Sequence, residues 1–322
     1  MTVIVTGAAG FIGAAVSTRL LARGETVIGV DEFNAYYDPS LKAARAARLE
    51  AEPSFRMIRM DVADAAVFAE LVRSSGATGV IHLAAQAGVR YSIENPFAYE
   101  RSNLAGHLSV LEACRGAPDV RQLVYASSSS VYGDRRGSGA FREDDPVDAP
   151  VSLYAATKRS GELMSQTYAH LYGLSISGLR FFTVYCPWGR PDMAYFGFTE
   201  KILAGKPIEV FGEGRMARDF TFIDYIVDGV VGVLDHPGER GAHRIFNIGD
   251  NRPVGLMRMI EILEQALGVT AEKIMLPMQP GDVSETYADI SRLQTLCGYA
   301  PKVTLEEGIP RFVAWRRAYS GS

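Results

Sequence analysis

The sequence is poor in cysteine: 322 residues hold three, Cys114, Cys186 and Cys297, each far from the others. Such spacing offers no metal-ligating set and no disulfide framework, and it suits a reducing cytosol. Charge of one sign is never concentrated either. Lys and Arg number 33 against 37 Asp and Glu, a net charge of −4. With no like-charge block, nucleic acid and anionic membranes are poor candidates as partners. No apolar run reaches the ~18 residues of a membrane span. The first residues enter a strand pattern without the basic stretch of a signal peptide. Low-complexity segments and internal repeats are missing too. The expectation is a cytoplasmic, metal-free protein. Its 48% hydrophobic content is ample for one large core or two interleaved domains.

What is present alternates. Short β-branched runs at Thr2–Thr6, Thr26–Val30, Phe55–Met60, Gly79–Leu83, Gln122–Ala126 and Leu174–Phe181 read as strands. Between them, Phe11–Arg23, Pro96–Arg115 and a segment from about Ser152 to Tyr172 read as helices. Alternation of this kind predicts an α/β fold, a doubly wound parallel sheet covered on both faces. Near Phe182 the texture changes, and Pro187-Trp188-Gly189-Arg190-Pro191 interrupts regular structure. The predicted division is a Rossmann-type domain over 1–180 and a smaller substrate-binding α/β domain over 181–322. Some later segments are expected to pack back onto the first domain.

Gly7, Gly10 and Gly13 follow the first strand and open the first helix. Glycines there allow a tight turn and close approach of a pyrophosphate, and the helix N-terminus supplies N–H donors. Asp31 ends the second strand, where a carboxylate can bond a ribose 2′-hydroxyl and repel a 2′-phosphate. The combination points to NAD. Asp61-Val62, at the end of the third strand, could reach adenine, although a helix-capping Asp explains it equally well. Farther on, Tyr154 and Lys158 stand at i and i+4, on one face of a helix. A phenol ionises near pH ~10, and an ammonium beside it favours the phenolate. The expected result is a lowered Tyr154 pKa and a group that takes or returns a hydroxyl proton. The serine run Ser127–Ser130 can share that proton.

Together, the glycine loop Gly7–Gly13, Leu83-Ala84-Ala85, Ser127-Ser128 before Val131-Tyr132-Gly133, and Tyr154 with Lys158 resemble the extended short-chain dehydrogenase/reductase superfamily. Longer strings resemble the UDP-glucuronate 4-epimerases. They are Asp31-Glu32-Phe33-Asn34-Ala35-Tyr36-Tyr37-Asp38-Pro39, Gln86-Ala87-Gly88-Val89-Arg90-Tyr91-Ser92, Arg180-Phe181-Phe182-Thr183-Val184-Tyr185, Trp188-Gly189-Arg190-Pro191-Asp192-Met193 and Arg218-Asp219-Phe220-Thr221. The resemblance implies roles. Tyr154 becomes the acid/base, Ser128 the catalytic hydroxyl and Lys158 their electrostatic partner and a ribose ligand. Gly7, Gly10, Phe11, Ile12, Gly13, Asp31, Asn34, Asp61, Val62, Leu83, Ala84, Ala85 and Asn103 become the cofactor site. Arg90, Arg190, Phe211, Arg218, Gln279 and Asp282 become contacts to a UDP-sugar, with Arg suited to the diphosphate.

The implied reaction is NAD-dependent 4-epimerisation of UDP-glucuronate through a 4-keto sugar. That intermediate is a β-keto acid, which loses CO₂ when its carboxylate leaves the carbonyl plane. Neutral donors at Ser128, Ser129, Ser130 and Thr183 suit the task of holding it. Related dehydratases place Asp-Glu after the catalytic hydroxyl, and related decarboxylases carry Glu where Ser130 stands. One departure from the family is Cys186, where a Gly is expected; a small packing residue is the simpler explanation. A UDP-glucose/galactose 4-epimerase remains the nearest alternative, and a non-catalytic dinucleotide sensor a more distant one. Phe97, Leu104, Leu108 and Leu111, with Leu163, Met164, Tyr168 and Leu171, lie at helical spacing and by default are buried. The superfamily commonly pairs these two helices, so a homodimer through 96–115 and 154–172 is expected.

Overall fold

The computed structural model describes residues 1–135, 139–279 and 283–321. Seven strands form the main sheet: β1 Thr2–Thr6, β2 Thr26–Asp31, β3 Phe55–Arg59, β4 Gly79–His82, β5 Gln122–Ser128, β6 Ile176–Phe181 and, much later, His243–Ile248. All pair in parallel, in the order β3, β2, β1, β4, β5, β6 and then His243–Ile248. The sheet is covered on both sides, and β1 shows why. Val3 and Val5 join one apolar cluster while Ile4 joins the other, as the period-2 geometry of a strand requires. Strand order reverses between β1 and β4. Such a switch point opens a crevice at the carboxyl ends of the strands.

Two helices absent from the sequence reading, Pro39–Glu50 and Ala65–Ser74, cross the β2–β3 and β3–β4 connections. Pro39–Glu50 had a legible start: Asp38 caps it by accepting from Ser40 N at 2.9 Å, and Pro39 opens its first turn. The expected 96–115 helix is continuous but not uniform. Pro96–Tyr99 and Gly106–Arg115 are α, and Glu100–Ala105 between them is a π turn. The 153–172 helix begins at Leu153 with Ser152 as its cap, accepting from Ala155 N at 3.1 Å.

Beyond Phe181 lie a four-stranded sheet (Thr183–Tyr185, Ala217–Phe222, Pro253–Gly255 and Glu285–Thr286) and a pair, Ile208–Val210 with Lys273–Met275. Residues after 181 also complete the first unit. His243–Ile248 extends its sheet beside β6. Helix Ile223–Asp235 lies along Phe11–Ala22, where Arg23 pairs with Asp235 at 2.8 Å.

Two histidines sit inside the main sheet and its helices. His82 and His107 are each 4% exposed. His82 Nδ1 shares a 2.8 Å hydrogen bond with Thr6 Oγ1, and His107 Nε2 a 2.9 Å bond with Ser165 Oγ. Burial lowers both pKa values, that of His107 to about 3. The unfolded chain therefore binds these protons first, near pH ~6.5. Stability should be full above that value and fall as pH drops toward 3, at most by about 1.4 kcal/mol per unit for each histidine. Asp219, whose buried carboxyl has its pKa raised to about 6, works in the opposite sense over this range. Urea midpoints at pH 7 and pH 5 are therefore compared between the parent and His107→Asn; an equal pH dependence in the two would refute the histidine contribution.

Candidate active site

The glycine loop is packed too closely for side chains. Gly7 has φ +72°, and a Cβ added there would stand 2.8 Å from Ala84 N. One added at Gly13 would meet Gly7 O at 2.0 Å. Gly7 N and Ala8 N donate to Val30 O at 2.7 and 3.2 Å, which seats the loop on β2. Gly10 is the N-cap and carries no capping side chain. The first N–H groups of helix Phe11–Ala22 have no partner of their own within the helix. A cradle of this shape, with bare N–H donors at a helix N-terminus, fits a pyrophosphate. Thr6 Oγ1 accepts from Leu83 N and Ala84 N at 3.2 and 3.1 Å, joining the opposite wall to β1.

Asp31 is fixed at the end of β2 by Ala9 N on Oδ2 (3.0 Å) and Phe33 N on Oδ1 (2.8 Å). Asn34 is held by Lys42, whose Nζ donates to its O and Oδ1 at 2.9 and 2.7 Å. Asp61 caps a turn through Ala63 N and pairs with Arg101 at 2.7 Å, yet it lines the cleft with Val62. The cleft has a volume of about 420 Å³, within the usual range of ligand sites. It runs from Asp31 past the glycine loop to Ser128, Tyr154 and Lys158. Asn103, expected as a cofactor contact, is not among its lining residues. Asn103 lies buried in the π turn, and its amide bonds Gln86 N, Gln86 O and Thr157 Oγ1 at 2.8–3.0 Å. It braces the β4 loop against the Tyr154 helix.

At the far end the structure corrects one expectation. Lys158 Nζ donates to Ala126 O at 3.0 Å and lies 6.0 Å from the centre of the Tyr154 ring. Burial lowers the Lys158 pKa to about 8, with the Arg190 charge adding to the effect. Burial likewise raises the Tyr154 pKa, against the opposing pull of a Ser128 hydrogen bond and the Arg190 guanidinium. Desolvation of the phenolate thus outweighs the Ser128 hydrogen bond and the Arg190 charge. Ser128 Oγ accepts from Ser130 N at 3.2 Å and Ser130 Oγ at 2.9 Å. Ser128, Ser129, Ser130 and Thr183 all line the cleft. Ser127 is structural, donating to Glu162 Oε1 at 2.7 Å.

Arg190 lines the same cleft and pairs two-pronged with Asp192 at 3.1 and 2.8 Å; Tyr36 OH donates to Asp192 at 3.2 Å. The sequence reading missed the parts played by Tyr36 and Asp192, although both stand in the strings it singled out. Arg90 and Phe211 do meet, with the guanidinium 4.8 Å from the ring centre. Arg218 donates to the carbonyls of Ala217, Val283 and Ser284 at 2.7–3.1 Å. Gln279 is half-buried. Arg90, Phe211, Arg218 and Gln279 stand outside the lining of the main cleft. Asp282 lies outside the described residues. Cys186 is buried in the core, and among the described residues the left-handed non-glycine ones are Phe33, Trp188, Glu213 and Asn251. The backbone at 186 therefore accepts a side chain. Burial pushes its thiol well above the ordinary range, as for a packing residue.

Residues 3–249 match the family described as the NAD dependent epimerase/dehydratase family. Over 335 residues the chain is 49% identical to UDP-glucuronate 4-epimerase 1 of Arabidopsis thaliana, covering 100% of this chain and 78% of that protein. A crystal structure of UDP-glucuronic acid 4-epimerase from Bacillus cereus, in complex with UDP-glucuronic acid and NAD, superposes with a TM-score of 0.92 at 35% identity. That match covers 99% of this chain and 100% of the other. A UDP-glucose 4-epimerase from Thermotoga maritima, with UDP-glucose, gives 0.90 at 27% identity over 99% and 100% of the two chains.

Proposed function

This chain belongs to the NAD dependent epimerase/dehydratase family, and on that premise we propose that it interconverts UDP-glucuronate and UDP-galacturonate by inversion at C4. The observation that carries the reading is the run of hydroxyls. Ser128, Ser129, Ser130 and Thr183 line one cleft with Tyr154 and Lys158, and positions 129 and 130 hold no carboxylate to divert a C4 ketone into elimination.

NAD, when bound, supplies the acceptor and donor of hydride at C4. Tyr154 takes the C4 hydroxyl proton, with Ser128 relaying, and returns it when the sugar presents its other face. Lys158 holds positive charge beneath them. The serine and threonine hydroxyls hold the C6 carboxylate without introducing an acid. Gly7, Gly10, Phe11, Ile12, Gly13, Asp31, Asn34, Asp61, Val62, Leu83, Ala84 and Ala85 hold the dinucleotide. Arg90, Phe211, Arg218 and Gln279 hold the UDP end, and Arg190 also binds the UDP-sugar. In this reading 1–180 is the cofactor domain and 181–322 the sugar-nucleotide domain, with His243–Ile248 lent back to the first.

The test is incubation with UDP-glucuronate without added oxidant, with the products resolved. UDP-galacturonate with little UDP-pentose is expected. UDP-xylose or its 4-keto precursor as main product overturns the reading, and turnover of UDP-glucose alone favours the alternative epimerase.

The same proposal includes a homodimer. Phe97, Leu108, Leu163 and Leu171 are 80, 42, 54 and 61% exposed on the 96–115 and 153–172 helices, while Leu111 alone of the two stripes is fully buried. Four large apolar side chains facing outward along neighbouring helices form a face that a second copy covers. Sedimentation at micromolar concentration should give a dimer, and Leu163→Glu a monomer; a monomeric parent refutes this. No described helix is long and apolar enough to cross a membrane. We place the protein in the cytoplasm, which fractionation of the producing cells would check.

A further inference from the structure

Arg45, on helix Pro39–Glu50, is 1% exposed, and its hydrogen bonds all end on neutral oxygens. Nε donates to Trp188 O at 3.1 Å, Nη2 to Trp188 O and Gly189 O at 2.6 and 2.9 Å. Nη1 donates to Ala9 O at 3.3 Å and to Tyr37 OH at 2.7 Å. A guanidinium has five N–H donors in a planar fork, and here they reach three separate stretches of chain. Ala9 lies inside the glycine loop. Tyr37 lies in the loop after Asp31. Trp188 and Gly189 lead directly into Arg190, which lines the cleft together with Gly7, Gly10 and Gly13.

The 186–193 loop is under constraint from several directions. Trp188 has φ +64°, a left-handed conformation that a bulky residue adopts only when its surroundings impose it. Its ring lies 4.7 Å from the Arg48 guanidinium on one side. It also packs 5.2 Å from Trp315 and 5.3 Å from Tyr319 of the last helix. At Gly189 a Cβ would stand 1.9 Å from Tyr195 OH. The loop is therefore pressed onto helix Pro39–Glu50, and Arg45 is the group that ties it to the glycine loop.

We propose that Arg45 is a positioning residue that staples the two walls of the dinucleotide cleft together, at Ala9 and at Trp188–Gly189, and so retains NAD between turnovers. The proposal rests on the NAD-dependent reading above. In that reaction the cofactor ends each cycle in its starting oxidation state, so release serves no purpose. A staple of neutral carbonyls on a buried fork suits this. It brings no anion that would compete with the pyrophosphate for the N–H donors of the glycine loop, and a lysine, a point charge with three donors, cannot span the same set.

The test is the release of isotopically labelled NAD, chased with excess unlabelled NAD, from the parent, Arg45→Lys and Arg45→Ala. Both variants should release label at least about tenfold faster, since changes of this kind appear in the off-rate. Millimolar guanidinium should slow release from Arg45→Ala, and methylammonium should not. A merely structural arginine would lower the melting temperature without that selective rescue. Should the alanine variant not fold, Arg45→Lys decides alone. Parent-like release from folded Arg45→Lys ends this proposal and leaves the epimerase reading standing. A parent that binds no NAD ends the reading beneath it.

Discussion

Tyr154→Phe should lower kcat for epimerisation by about 10³-fold, the middle of the span for a positioned acid/base, and leave bound NAD in place. The substitution removes one oxygen. The ring stays in its setting, edge-on to Tyr99 at 6.0 Å between centres, and none of the hydrogen bonds that seat the glycine loop, Asp31 or Lys158 involves it. The pH dependence has a definite sign. Burial raises the Tyr154 pKa, so the proton-accepting phenolate is the scarcer form at neutral pH and turnover should climb with pH. Ser128 opposes burial by hydrogen bonding to Tyr154. Ser128→Ala should therefore shift the ascending limb of the pH–rate profile upward as well as lower kcat. Rates measured from pH 6 to 10 with parent and variants, alongside NAD content, check both points. Parent-like kcat in Tyr154→Phe removes Tyr154 from the chemistry.

Much of this centre was legible in the chain because its signals are local. Glycines at 7, 10 and 13 declare a turn that admits no Cβ, and the structure shows the atoms that forbid one. Tyr154 and Lys158 share a helix face by spacing alone. The sheet is legible where β-branched runs mark it, as at Thr2–Thr6 and Thr26–Val30, but Phe55–Arg59 and Gln122–Ser128 hold one such residue each, and the late strand His243–Ile248 lies far along the chain. What spacing could not reveal was the balance of competing terms at the site. Burial of Tyr154 outweighs its polar neighbours, so an i,i+4 pair whose spacing promises a lowered phenol pKa contains a raised one. Nor could period alone separate a buried stripe from an outward one. Leu108 and Leu111 sit three residues apart on the same helix and have opposite exposure, because one faces the sheet and its neighbour does not. The resemblance names Asn103, but its bonds to Gln86 and Thr157 are visible only in the folded chain. Arg45 carries no local signal at all. Its partners are 8, 36, 143 and 144 positions away, and only the folded chain brings them together.

The largest loss of stability is expected at a pair that never touches substrate. Arg180 and Glu162 are 2% and 1% exposed, joined two-pronged at 2.8 and 2.9 Å. Arg180 also donates to Glu143 O at 3.3 Å and stacks 4.7 Å over Tyr132. Burial works against both charges, and each is restored by the other: the Arg180 pKa is held above its ordinary value and that of Glu162 below. Arg180→Met would strand Glu162 with only Ser127 and the outer Arg159, at 3.1 Å, as partners. Removing one member of a buried pair costs about 3–5 kcal/mol, and the surviving Arg159 contact places this case near the lower figure. Glu162→Leu combined with Arg180→Met should recover part of the loss, because no uncompensated charge then remains, although Ser127 keeps an unpaired hydroxyl. A double-mutant cycle from urea unfolding measures the coupling. The Glu162 contribution is full above the ordinary glutamate range and is lost as pH falls through its lowered value, so the cycle belongs at pH 7. Arg180→Met within about 1 kcal/mol of the parent would mean the pair behaves as a surface one. Ser127 gives the stability effect a catalytic consequence: it bonds Glu162 and immediately precedes Ser128. Loss of the pair should free the end of β5, and kcat should fall with it while NAD, held at β1 and β2, stays bound.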